Sequence, residues 1–340
     1  MAVKIAINGF GRIGRLVFKK ILESHPDLEV VAINDLTDSK TLAYLLKYDS
    51  SYGIYDKEVD FDEKNIKVNG KRFPIFAEKD PSNLPWEDLK VDVVLECTGH
   101  FTDFEGARKH LEAGAKKVII STNSKSPEVA HYVLGVNEDK YDPKKDDVIA
   151  NGSCTTNCLS PIAKILNDHF KIERGFMTTV HSYTNNQRLL DLPHKDLRRG
   201  RAAALSIVPT TTGAAQAVEK VIPELKGKIN GIALRVPTPT VSIVDFVCYV
   251  QKKTSREEVN YIFKKVSQEE RYKGILGIED APLVSVDLKG NSFSAIVDSN
   301  LTMVEDNLVK VFAWYDNEWG YVSRLAQMAE YIGKLLISSQ

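Results

Sequence analysis

The chain has 340 residues, 43% hydrophobic and 27% charged, which gives ample apolar surface for a core and, at about 100–200 residues per domain, room for two domains. Its 45 basic and 46 acidic residues leave a net charge of -1, so no global field draws it to nucleic acid or an anionic membrane, and neither is expected as a primary partner. No apolar run approaches the ~20 residues that span a bilayer, and the opening MAVKIAINGF reads as a strand rather than a secretory signal.

Residues 4–7 predict a buried strand, and residues 12–22 carry Ile13, Leu16, Val17 and Leu22 at helical spacing. A second apolar run, 30–33, ends at Asn34-Asp35. A helix over 42–46 follows, then a hairpin at Asn69-Gly70, a strand over 91–97, a helix over 104–113 and a strand over 118–121. This alternation implies a parallel sheet with helices on both faces.

After about residue 150 the pattern changes. Strands are expected at 176–180, 231–236, 241–250 and 308–315, with helices near 155–170, 212–221, 256–267 and 318–336. Longer strands with fewer helices between them predict an α+β domain. Residues 183–205 form a polar, arginine-rich stretch with little periodicity, and a loop of that length in a compact domain is as a rule functional.

Gly9-Phe-Gly11-Arg-Ile-Gly14 is a GxGxxG sequence that follows a strand and opens a helix. Asp35 lies 21 positions beyond Gly14 at the tip of the next strand, close to the ~20 of a dinucleotide-binding fingerprint. The first glycine makes the turn, the second lets the backbone approach a pyrophosphate, and the third lets helix pack on sheet. Arg12 and Ile13 would offer backbone contacts to the diphosphate. Asp35 would accept the ribose hydroxyls and repel a 2′-phosphate, favouring NAD over NADP. Without this context the motif is only a glycine turn.

The four cysteines, Cys97, Cys154, Cys158 and Cys248, show no CxxC or Cys/His ligand spacing, so neither metal nor disulfide is expected and a reducing, cytoplasmic setting fits. Cys154, in Asn151-Gly-Ser153-Cys154-Thr-Thr-Asn157-Cys158, stands before an amphipathic helix whose N-terminal field lowers a thiol pKa. Pro161 is expected to distort the first turns of that helix. Cys158, one turn on, and Cys97 and Cys248, in apolar strands, read as core. His181 ends the strand over 176–180. A lone histidine is more often structural, but the polar Ser-Tyr-Thr-Asn-Asn after it favours a general base paired with a Cys154 nucleophile. The fold class expected is an α/β N-terminal Rossmann-type dinucleotide-binding domain with an α+β catalytic domain. The alternative class is a non-enzymatic NAD-binding or nucleic-acid-binding module.

Together with Asp191-Leu-Pro-His-Lys-Asp-Leu-Arg198, Pro209-Thr-Thr-Thr-Gly213, Arg235-Val-Pro-Thr-Pro239 and Trp314-Tyr-Asp-Asn-Glu-Trp-Gly-Tyr321, these motifs resemble the phosphorylating glyceraldehyde-3-phosphate dehydrogenases from end to end. The resemblance implies oxidation of glyceraldehyde 3-phosphate, with NAD and inorganic phosphate, to 1,3-bisphosphoglycerate through a Cys154 thioester, in a cytoplasmic homotetramer. It implies an NAD-binding domain over 1–152, with helix 317–340 packing back on it, and a catalytic domain over 153–316. Asn317 would bind the nicotinamide carboxamide, while Lys79 and Ser121 would serve the adenine and ribose side. Thr184 and Arg235 would bind the substrate phosphate, and Ser153, Thr155, Arg199, Thr212 and Gly213 the inorganic phosphate. The polar stretch 183–205 would be the family's S-shaped loop, in which Leu192-Pro193 resembles the NAD-preferring form. Erythrose-4-phosphate dehydrogenases share this scaffold but use water as acceptor; the intact Thr210-Thr-Thr-Gly213 and Arg199 favour the phosphorylating enzyme. Three positions depart from the family pattern: Asn186 for aspartate, Ser121-Thr-Asn-Ser-Lys125 for Ser-Ala-Pro-Ala-Lys, and Gly152 for alanine.

Overall fold

The computed structural model describes residues 2–338, which divide into two compact units. The first takes the chain up to Tyr132, residues 139–152 and residues from Val322 onward; the second takes residues 133–138 and 153–321.

The first unit is built on β1 (Val3–Asn8), α1 (Arg12–Ser24), β2 (Leu28–Asn34) and α2 (Ser39–Lys47). Then come β3 (Val59–Asp62), β4 (Asn65–Val68), β5 (Lys71–Phe76) and β6 (Val93–Glu96). It is completed by α3 (Phe104–Glu112), β7 (Lys117–Ile120), β8 (Ala130–His131) and β9 (Val148–Ala150). The nine-stranded sheet runs β8-β9-β7-β6-β1-β2-β5-β4-β3. It is parallel from β8 to β5. Its inner strands are nearly continuous apolar runs because both faces are covered. The sheet is not purely parallel, as the alternation implied. Asn69 and Gly70 both adopt positive φ (49° and 79°), closing a two-residue hairpin that sets β4 antiparallel to β5, and β3 in turn pairs antiparallel to β4. Strand order reverses at β1, with β2 on one side and β6 on the other, which opens a crevice at their C-terminal ends.

The second unit contains α4 (Cys154–Phe170), β10 (Ile172–Ser182), β11 (Val208–Thr211), α5 (Ala214–Val221), β12 (Ile229–Val236) and β13 (Ser242–Val250). It continues through α6 (Arg256–Val266), β14 (Leu276–Glu279), β15 (Ala295–Asp298), β16 (Met303–Glu305) and β17 (Leu308–Tyr315). The sheet order is β11-β12-β10-β13-β17-β15-β14, with β16 paired to β17. Leu159, Ile162, Ile165 and Leu166 of α4 share one core cluster with Val244 and Phe246 of β13 and Val309 and Val311 of β17. Helix α4 is continuous through Pro161. β14, β15 and β11 leave no periodic signature in the sequence, because four-residue strands carry too few positions for a period to register. The last helix, α7 (Trp319–Ser338), begins in the second unit, and its residues from Val322 belong to the first.

Candidate active site

In the first unit, the ends of β1, β2 and β6 border a pocket of about 550 Å³ whose lining includes Gly9, Gly11, Asp35, Lys79, Thr98 and Phe101. The three glycines of the loop have distinct reasons to be glycine. Gly9 has φ +89°, and a Cβ there would lie 2.7 Å from the Thr98 nitrogen. A Cβ on Gly14 would lie 2.0 Å from the Gly9 carbonyl oxygen, so its smallness serves the packing of loop on helix. A Cβ on Gly11 would meet no protein atom within 4 Å, so its smallness keeps the pocket open. The first turn of α1 has no side-chain cap, whereas Asp38 and Asp103 cap α2 and α3. Its N–H groups and the helix dipole suit a bound anion.

Asp35 accepts the Phe10 N–H at 2.7 Å through one oxygen and the Thr37 N–H at 2.9 Å through the other, which fixes the carboxylate at the pocket edge. The Arg12 guanidinium turns to Asp49 at 3.2 Å. Arg12, Ile13 and Gly14 thus form the first turn of α1 beside the pocket rather than its lining, and Ser121 lies just past β7, also outside the lining. Cys97 is a correction: it is not core but half-buried and pocket-lining, and burial pushes its thiol up. An uncapped helix start, an open Gly11 and a fixed carboxylate fit a dinucleotide.

In the second unit, Cys154 is the first residue of α4, whose N-terminus is capped by the Ser153 hydroxyl accepting the Thr156 N–H at 3.1 Å. His181, near the end of β10, brings Nε2 to 3.3 Å from the Cys154 sulfur. Register pairs His181 with Arg235 on β12, and Arg235 Nη1 lies 2.5 Å from His181 Nδ1 and donates to the Ser182 carbonyl at 3.1 Å. The same carbonyl lies 2.7 Å from His181 Nδ1. The guanidinium only donates and the carbonyl only accepts, so which of the two Nδ1 bonds is set by the tautomer, and an Nδ1–H bonded to Ser182 leaves the Nε2 lone pair facing the thiol. Burial and the adjacent Arg235 charge push the His181 pKa down to about 3, so the imidazole is neutral at physiological pH. Burial pushes the Cys154 thiol up, while the Arg235 charge and hydrogen bonds from Thr155 pull it down. The helix terminus therefore acts in the expected direction, but desolvation, which no local sequence pattern reports, outweighs it. Cys158 and Cys248 are buried, as read from the sequence.

Tyr315 was missed. Its buried hydroxyl bonds the Thr155 and Thr179 hydroxyls at 2.9 and 2.8 Å, and its ring meets His181 edge-on, with centroids 6.0 Å apart. Nothing local separates it from the other apolar residues of β17. Asn317 accepts from the Ser242 hydroxyl at 2.9 Å, and that hydroxyl accepts the Ser182 N–H at 3.1 Å. Between them Val241 has φ +68°, an outlying backbone for a β-branched residue, and its carbonyl accepts from Ser182 Oγ at 2.8 Å.

The remaining polar residues gather around the 183–207 loop, which has no helix or strand. Arg199 donates to Thr210 Oγ1 at 2.7 Å and to the Thr211 carbonyl at 3.3 Å, and Thr210 donates to Asp196 at 2.9 Å. Thr212 Oγ1 accepts the Ala214 N–H at 3.2 Å, and Gly213 precedes α5 without a side-chain cap. The Thr184 N–H is held by Gln187 at 3.2 Å. Asn186 accepts from His194 Nε2 at 3.1 Å.

A Rossmann-type unit with an acid-tipped glycine loop, on one chain with a thiol–imidazole pair, defines a dinucleotide-dependent oxidoreductase. Residues 3–104 match the family described as glyceraldehyde 3-phosphate dehydrogenase, NAD binding domain, and residues 153–317 match the C-terminal domain of the same family. The chain is 59% identical over 333 residues to the glyceraldehyde-3-phosphate dehydrogenase of Geobacillus stearothermophilus, covering 98% of each chain. It is 57% identical over 335 residues to glyceraldehyde-3-phosphate dehydrogenase 1 of Bacillus subtilis, covering 98% of this chain and 99% of the relative. The chain belongs to the glyceraldehyde-3-phosphate dehydrogenase family. Among the described residues, no helix is long and apolar enough to cross a membrane.

Proposed function

We propose that the chain oxidises glyceraldehyde 3-phosphate with NAD and inorganic phosphate to 1,3-bisphosphoglycerate through a thioester on Cys154. The observation that carries this reading is the 3.3 Å approach of His181 Nε2 to the Cys154 sulfur at the start of α4. Relatives at 57–59% identity carry the matching name, and no observation favours the erythrose-4-phosphate alternative.

Cys154 gives its proton to His181 Nε2 as the sulfur adds to the aldehyde carbon, and the imidazolium returns that proton to the former carbonyl oxygen, forming a hemithioacetal with a neutral His181. Bound NAD supplies the hydride acceptor. His181 takes the hemithioacetal hydroxyl proton as the carbon becomes a thioester carbonyl. Inorganic phosphate then attacks that carbonyl, the C–S bond breaks, and the acyl phosphate leaves Cys154 to be reprotonated. The thioester conserves the free energy that hydrolysis to the acid would dissipate. The tautomer this sequence needs carries its proton on Nδ1, where the Ser182 carbonyl can accept it.

Gly9, Gly11, Arg12, Ile13, Gly14, Asp35, Lys79, Ser121 and Asn317 are assigned to NAD. Thr184 and Arg235 are assigned to the substrate phosphate, and Ser153, Thr155, Arg199, Thr212 and Gly213 to inorganic phosphate. The NAD-binding domain is taken as 1–152 with helix 317–340, and the catalytic domain as 153–316. Homotetramer formation is supported by Leu189, Leu190, Leu197 and Leu205, all exposed on the 183–207 loop, and by Phe176 and Ile232, exposed on β10 and β12. Light scattering should give about four times 38.0 kDa. The assigned setting is the cytoplasm. The deciding assay measures NADH formation from glyceraldehyde 3-phosphate and from erythrose 4-phosphate, with and without phosphate. Turnover that ignores phosphate, or that prefers erythrose 4-phosphate, would sink the reading.

A further inference from the structure

Beneath the dinucleotide pocket of the first unit lies a carboxylate that the chemistry above does not use. Glu96, the last residue of β6, has a side chain with no exposure, and so does its partner His110 of α3. The Trp86 indole N–H donates to His110 Nδ1 at 3.0 Å. Indole N–H is a donor only, so neutral His110 carries its proton on Nε2 and donates to Glu96 Oε2 at 3.1 Å. Asn8 Nδ2 reaches the same oxygen at 2.5 Å. Glu96 Oε1 accepts both the N–H of Thr98, at 2.7 Å, and its hydroxyl.

This arrangement has a direction. Because Asn8 must point its NH2 at Glu96, its Oδ1 accepts from Asn34 Nδ2 at 2.7 Å. Asn34 in turn presents Oδ1 to the Glu78 N–H at 2.9 Å and Nδ2 to the Glu78 carbonyl at 2.9 Å. Thr98, Asn8, Asn34 and Glu78 all line the pocket; Glu96 does not. One buried anion thus sets which face of each amide is donor and which acceptor, across the ends of β6, β1 and β2 and into the segment after β5. A buried carboxylate is retained only where its donors are satisfied, and here four converge on it.

We infer that Glu96, held by His110, is a positioning residue of the dinucleotide site, fixing the orientation of Asn8, Asn34 and Thr98 on the pocket wall. The inference rests on the assignment of this pocket to NAD. A glutamine at 96 has one acceptor oxygen, so at least one of its two donor groups loses its partner and the relay can invert.

The test is the NAD dissociation constant of the full-length protein by titration calorimetry at 20 °C, with melting followed in parallel. Glu96→Gln is expected to weaken NAD about tenfold or more, the scale of one or two lost hydrogen bonds. His110→Met removes both bonds of the imidazole and is expected to weaken NAD similarly. His110→Gln can still accept from Trp86 and donate to Glu96, so its dissociation constant should stay within about twofold of the unaltered protein. A purely structural role would lower melting temperature in the variants without this rescue pattern in affinity. Asp35→Ala tests the pocket itself. If Asp35→Ala weakens NAD while Glu96→Gln and His110→Met do not, the positioning role is overturned. If Asp35→Ala also binds normally, the pocket assignment falls and the inference with it. Should Glu96→Gln fail to fold, the His110 pair decides alone.

Discussion

His181 faces the sulfur of Cys154 through Nε2 at 3.3 Å, across 27 positions of sequence, because α4 starts where β10 ends. Cys154→Ser should therefore lose nearly all dehydrogenase activity while NAD still binds. His181→Asn should lower kcat about 100- to 10,000-fold, the usual worth of a general acid–base group. Steady-state assays with calorimetric NAD binding check both. A Cys154→Ser protein turning over at a comparable rate would end the covalent scheme.

Arg235 touches the other side of the same imidazole and pulls the Cys154 thiol pKa down while pushing that of His181 down as well. Removing its charge in Arg235→Gln should raise both. Alkylation of Cys154 by iodoacetamide should then shift to higher pH, with a slower rate at pH 7 than in the unaltered protein. An unchanged profile would show that the guanidinium charge does not act on the sulfur.

His181 also makes a prediction about stability. Its folded pKa of about 3 lies below the ordinary 6.5, so the unfolded chain binds more protons between those values. Stability from this group is fully present above pH 6.5 and is lost as pH falls toward 3. The acid side of the melting-temperature profile should be less steep in His181→Gln over that window. Parallel profiles in both proteins would mean that the imidazole is not held neutral.

The glycines of the loop separate folding from binding. Gly14→Ala puts a Cβ 2.0 Å from the Gly9 carbonyl oxygen and should destabilise the first unit by several degrees of melting temperature or prevent its folding. Gly11→Ala meets no protein atom within 4 Å, so it should melt within a few degrees of the unaltered protein. Its NAD affinity should nonetheless drop at least tenfold. Wild-type affinity in Gly11→Ala would place the diphosphate elsewhere.

The sequence by itself determined those features whose cause is local. Alternating β and α patterns, the Gly9–Gly14 spacing, Asp35 at a strand tip and the Asn69-Gly70 turn all act through a few neighbouring residues, so they could be read directly. Short strands such as β14 and β15 escaped because four residues carry almost no period. Only the tertiary structure decided which polar groups meet. Tyr315 holds Thr155 and Thr179, Arg235 stands against His181, and Glu96 gathers donors from three segments. Desolvation and charge proximity depend on what packs around a group from distant parts of the chain. That is why the direction of the Cys154 thiol shift could not be taken from its helix alone.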